Sequence, residues 1–133
     1  MPQTVQPVEF FFELHSMPGL PSTVEWVNGR LEIRSDYHPN PFFRSPTPEA
    51  WDDFWIEVDE LGVWEWESSY HDPGVLDGIG WGLRFGRDGR RIVSRGSNAY
   101  PGQTKRFGGP TTDFRRLTRA VTCLVGNTYL FVV

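Results

Sequence analysis

Three histidines, one cysteine and a carboxylate-rich stretch from Asp52 to Glu60 are the side chains of this 133-residue chain best suited to acid–base, nucleophilic or metal chemistry. His15, His38 and His71 fall in expected loops or strand ends, and two have a near acid, Asp36 for His38 and Asp72 for His71. Their spacing matches no metal-ligand pattern such as H-x-x-x-H or H-E-x-x-H, so neither a metal nor a cofactor is expected. Cys123 falls beside the apolar stripe of an expected helix, where it reads as a small buried thiol dulled by desolvation. No G-x-S-x-G elbow offers a serine nucleophile. Asp53 and Glu57 are four residues apart, but they share a helix face with other acids, which reads as a solvated surface rather than a glycosidase pair. The chain is therefore read as non-enzymatic; a small enzyme would need His71, Asp72, Tyr70 or His38 to converge in one pocket.

Two basic or loop-rich segments are the candidates for binding. Arg84, Arg87, Arg90 and Arg91 crowd one expected hairpin, and a ribbon of this kind beside Tyr100 and Phe107 is a candidate nucleic-acid contact. "RFGRDGRR" is no phosphate cradle, because it turns between two strands and lacks a helix N-terminus. The second segment begins at "SRGSNAYPGQ", Ser94–Gln103, and supplies Arg95, Asn98, Tyr100, Lys105, Arg106 and Phe107 as candidate partner-binding residues. Its composition also has a purely architectural explanation. Asn98 suits a turn, and Tyr100 before Pro101 is driven toward extended backbone.

The elements that position these residues follow from periodicity. Val8–Leu14 alternates apolar and polar as a half-buried strand does. Asn28-Gly29 and Asp88-Gly89 centre two hairpins, since both pairs tolerate the positive φ of type I′ turns. The segment Tyr37–Pro48, with four prolines, reads as loop. Thr47-Pro48 is an N-cap followed by proline at the first helical position, and Trp51, Phe54, Trp55, Val58 and Leu61 then recur at helical spacing up to Gly62. "VWEWESSY" reads as a strand. A second helix is capped at Thr111–Asp113, carries Phe114, Leu117, Val121, Leu124 and Val125, and stops at Gly126.

The expectation is an α+β two-layer sandwich with an antiparallel sheet of about six strands and two helices on one face. Element order repeats, so the single domain 8–133 divides into β-β-β-α units at 8–62 and 63–126, with a tail or strand at 127–133 and a disordered tail at 1–7. Twenty aromatic residues supply the core. No apolar run is long enough for a membrane span and no signal peptide is evident, so a cytoplasmic protein is expected.

Charge is segregated. Residues 1–83 hold three arginines against fifteen acids, and residues 84–133 hold ten basic residues against two acids. Such asymmetry marks either a polyanion contact or two halves that neutralise each other. If the two helices are neighbours, Arg115, Arg116 and Arg119 can approach the acids of the first helix.

Asp77, Gly78, Trp81 and Leu83, followed by Ser94, Gly96, Ser97, Asn98, Ala99, Tyr100 and Pro101 and then Phe114, resemble a recurrent motif of small uncharacterised bacterial proteins. The resemblance covers about the last 55 residues; this chain departs from it in a longer insertion before Phe114. It implies a strand-to-helix crossover anchored on Tyr100 through its hydroxyl, and no activity. The expectation is a protein-interaction module of a bacterial cell or phage that binds, and regulates or inhibits, a partner protein, as immunity proteins, inhibitors and accessory subunits of defence complexes do. A nucleic-acid-binding accessory protein and a small enzyme near His71 are the alternatives, and exposed sheet edges would permit a homodimer.

Overall fold

The computed structural model describes residues 6–16, 21–35, 38–72, 78–104 and 109–126. The expected tails at 1–7 and 127–133 fall largely or wholly outside them, as do Lys105, Arg106, Phe107 and Asp77. The chain forms strands β1 (Glu9–Ser16), β2 (Ser22–Val27), β3 (Arg30–Ser35) and β4 (His38–Arg44), then helix α1 (Pro48–Leu61). Strands β5 (Ser69–His71), β6 (Ile79–Arg87) and β7 (Arg90–Ser97) and helix α2 (Thr112–Val125) follow. The strands make one seven-stranded sheet in the order β4-β3-β2-β1-β6-β7-β5. All neighbours are antiparallel except β5 and β7. The fold is α+β, as expected, with seven strands among the described residues where about six were anticipated.

Local chemistry sets the turns and helix ends. Asn28 and Asp88 have φ of 54° and 50° and are each followed by a glycine at positive φ, the backbone a two-residue hairpin requires. The Thr47 side chain accepts from the Ala50 N–H, the Thr111 side chain accepts from the Phe114 N–H, and Gly62 and Gly126 close the helices in left-handed conformation.

Two segments depart from the sequence reading. His38–Arg44 is a strand, not a loop: β4 is the outermost strand, so the missing N–H groups of Pro39 and Pro41 need not break an interior ladder. "VWEWESSY" is not one strand. Gly62 is followed by a 3₁₀ turn, Val63–Glu65, because this stretch carries the chain from the helix layer back to the sheet. Its alternating tryptophans serve that crossing: Trp64 stacks on Trp55 at 6.0 Å and donates to Asp59 Oδ1 at 2.8 Å, and Trp66 meets Trp81 edge-on. Only Ser69–His71 then joins the sheet. It pairs in parallel with β7, whereas β1 pairs antiparallel with β2, so the repeat of element order is not a repeat of strand pairing.

Both helices pack on the same sheet face. Phe10, Phe12 and Leu14 of β1, Val24 of β2, Leu31 and Ile33 of β3 and Trp81, Leu83 and Phe85 of β6 face them, with Trp51, Phe54, Trp55, Phe114, Leu117 and Val121 answering from the helices. Phe10 and Phe85 stack at 4.9 Å on neighbouring strands, and Trp51 and Trp55 stack at 5.8 Å along α1. Aromatic pairs of this kind contribute about 0.5–1.5 kcal/mol each beyond the area they bury. The expected charge neutralisation is present. Arg116 of α2 pairs with Glu57 and Glu60 of α1, Arg90 with Asp59, and Arg84 and Arg91 with Glu9, all joining the basic half to the acidic half. Each such exposed pair is worth about 0–1 kcal/mol, so they orient the halves more than they stabilise them.

Candidate functional site: the uncovered face of the sheet

The "SRGSNAYPGQ" stretch is built into the scaffold. Gly96 lies opposite Trp81 in the β6–β7 register, and the indole lies over the bare glycine and donates to the Ala99 carbonyl at 3.0 Å. Asn98 takes a left-handed φ of 57°; its side-chain oxygen accepts from the Ile79 N–H at 2.9 Å, and its own N–H donates to the Ile79 carbonyl. The Pro101 carbonyl accepts from the hydroxyl of Thr111, the α2 N-cap. The Tyr100 ring is 3% exposed and packs on Phe114 at 4.9 Å. These contacts explain the Trp, Gly, Asn, Tyr and Phe of the motif without a ligand. Tyr100, expected as a partner contact, is instead buried in the core, and its backbone N–H donates to Gln103 Oε1 at 3.0 Å.

Two predictions arise here. Asn98→Gly keeps the left-handed backbone and orphans the Ile79 N–H, at about 1–3 kcal/mol. Asn98→Ala adds the left-handed strain of about 1–2 kcal/mol, so denaturant unfolding should rank Ala below Gly below the parent. Burial also raises the Tyr100 phenol above its ordinary pKa of 10.0. The stability linked to it is fully present below that value and is lost as pH rises through the raised folded-state pKa. Tyr100→Phe should remove that alkaline dependence, as read by unfolding at several pH values.

The arginines of the β6–β7 hairpin do not form one ribbon. Side chains alternate along a strand, so Arg87 and Arg90 turn to the helix layer, where they lie over the rings of Trp55 and Trp64. Arg84, Arg91 and Arg95 turn to the opposite face. There Arg84 lies over Phe11 and within 3.9 Å of Glu9 and Glu25, and Arg91 bonds Glu9 at 2.9 Å. Cys123 is exposed rather than buried, because it lies on the flank of α2 beside a cleft bordered by Asp53, Glu57 and Arg116. The Asp53–Glu57 pair lines this cleft, with Glu57 held by Arg116.

The face of the sheet away from the helices also carries exposed apolar side chains. Phe11, Phe43 and Val93 lie there among Arg30, Arg84, Glu25 and Glu32, with the Arg30 guanidinium 3.8 Å from the Phe43 ring centroid. Phe43 and Val93 are each 40% exposed. At the β5 end this face hollows into a cavity of about 450 Å³ bordered by Glu13, His15, Gly80, Arg95, Ser97 and His71. Tyr70 and His71 also border a second hollow with Asp72 and Tyr100. Tyr70, His71 and Asp72 are neighbours in the chain, so their sharing this border is no convergence of distant residues. Among the described residues no cluster of three or more His, Cys, Asp or Glu could hold a metal ion. His15 and Glu13 joining His71 was invisible in the sequence, because it depends on β1 pairing with β6 and β6 with β7.

No family model matches the chain, and no curated protein matches it. No helix among the described residues is long and apolar enough to cross a membrane.

Proposed function

We propose that this chain is a protein-interaction module that docks a partner protein on the uncovered face of its sheet and regulates or inhibits that partner. The observation that carries the reading is one-sided layering: α1 and α2 cover one face, while the other presents Phe11, Phe43 and Val93 within a lattice of paired charges. Aromatic residues and arginine are enriched at protein interfaces relative to the rest of the surface. The alternative, nucleic-acid binding, is weakened by the division of the arginines between two faces and by their pairing with acids, which leaves few cations to displace counterions. Homodimerisation through strand edges is disfavoured by the prolines of β4 and the three-residue length of β5.

The test is affinity purification from the source organism at low salt, with and without nuclease, using the parent chain, Phe43→Asp and Ile56→Asp. Ile56 is 56% exposed on α1 and serves as the control for the helix face. A nuclease-resistant protein retained by the parent and Ile56→Asp but lost by Phe43→Asp is the expected result. Retention by both variants, or retention of nucleic acid alone, overturns the reading.

A further inference from the structure

The cavity at the β5 end of the open face has a charge arrangement unlike the rest of that face. In the strand register Glu13 of β1, Gly82 of β6 and Arg95 of β7 stand in one row, and His15, Gly80 and Ser97 stand in the next, with His71 of β5 beside Ser97. Strands lie about 4.8 Å apart, so Glu13 and Arg95 sit roughly 10 Å apart at the backbone. Between them the floor is glycine. Glu13 leans across it, since a Cβ on Gly82 would lie 3.1 Å from Glu13 Oε1, whereas a Cβ on Gly80 would meet nothing nearer than the Gly96 carbonyl at 4.0 Å.

Elsewhere on this face arginine is matched with an acid or a ring: Arg34 with Glu32, Arg84 with Glu9 and Glu25, Arg91 with Glu9, Arg30 over Phe43. Among the described residues no ion pair joins Arg95 or Glu13 to anything, although both border the same cavity. A site with an unmatched cation on one wall, an unmatched carboxylate on the other, and Ser97 and His71 bordering the cavity on the Arg95 side suits a ligand that is itself dipolar. A dianion such as phosphate would face Glu13 across the floor, and a simple cation would face Arg95.

We infer that this pocket binds a carboxylate that carries a neighbouring N–H donor, as a free amino acid or the C-terminal residue of a peptide does. Arg95 forks onto the carboxylate, the Ser97 hydroxyl and the His71 ring are placed to donate beside it, and Glu13 accepts from the nitrogen. This goes beyond the docking reading and does not depend on it, because the isolated chain and small molecules suffice to test it.

The test is a titration of the full ¹⁵N-labelled chain with glycine, N-acetylglycine, acetate and glycinamide, following the amides of Gly80, Gly82 and Ser97 and the rings of His15 and His71. Glycine or N-acetylglycine should give saturable shifts, with acetate and glycinamide each about tenfold or more weaker, the loss expected for one charged hydrogen bond. Tighter N-acetylglycine identifies a peptide terminus as the source; tighter glycine identifies a free amino acid. Arg95→Ala, a change at an exposed residue, should abolish the carboxylate preference. Gly80→Val, whose added side chain enters the open floor, should abolish binding while thermal unfolding stays near the parent's. Absence of saturable shifts at these residues, glycinamide binding as tightly as glycine, or unchanged binding in Arg95→Ala would overturn the inference.

Discussion

Trp81→Ala should lower the unfolding free energy by about 3–5 kcal/mol, the range for removing a large buried aromatic. Trp81 is 3% exposed and touches four rings or segments at once: Trp66, Tyr70, Phe114 and, through its indole N–H, the Ala99 carbonyl. Its loss therefore opens a cavity beneath β5 and α2 and strips a buried carbonyl of its donor. Trp81→Phe separates the two effects. It refills most of the volume but leaves Ala99 without the indole N–H, so about 1–3 kcal/mol should be lost. Urea denaturation of the three proteins checks the order. If Ala and Phe were equally mild, Trp81 would not be the post that the crossover leans on.

Gly96→Ala is the second large effect, and it comes from crowding. A Cβ there would lie 2.1 Å from Trp81 Nε1 and 2.6 Å from the Ala99 carbonyl oxygen. The carbonyl belongs to the backbone of the turn Asn98 fixes, so relief must displace the indole, the strand or both. The expected loss is the upper part of the about 1–3 kcal/mol typical of overpacking, together with about 0.5–1.5 kcal/mol for the broken indole hydrogen bond. Residues in contact are not additive, so the double variant Gly96→Ala/Trp81→Ala should be more stable than the sum of the singles by about 0.5–3 kcal/mol. Gly80→Ala is the control. It lies in the neighbouring strand, where a Cβ would make only an ordinary contact with the Gly96 carbonyl at 4.0 Å, and its substitution should be neutral or slightly stabilising.

What the sequence made legible was local. Thr47-Pro48, Gly62, Thr111 and Gly126 bracket the helices at the residues where they begin and end, and Asn28-Gly29 and Asp88-Gly89 turn the two hairpins. These signals act over a few residues and need no partner. The features that escaped are set by what lies alongside. Pro39 and Pro41 disguise a strand that is tolerated because it is an edge, and the tryptophan alternation of Val63–Trp66 imitates a strand while serving ring packing. Cys123 sits near the apolar stripe in sequence but on its rim in space. The open-face pocket was the least legible of all. Glu13 and Arg95 are 82 positions apart, and only the register of β1 on β6 and β6 on β7 sets them across one glycine.

The placement of β1 bears on how the chain is made. β1 is central, bonded to β2 on one side and to β6 on the other. A nascent chain that has completed β1–β4 and α1 still exposes the full β6-facing edge of β1, with Phe10, Phe12 and Leu14 beside it, until residues beyond Arg87 emerge. Long-range pairing of this kind is slow, and an unpaired apolar edge is what aggregates or recruits chaperones during synthesis. The two halves are thus partners in a single sheet, and a fragment ending before β6 would leave the tunnel with its sticky side out.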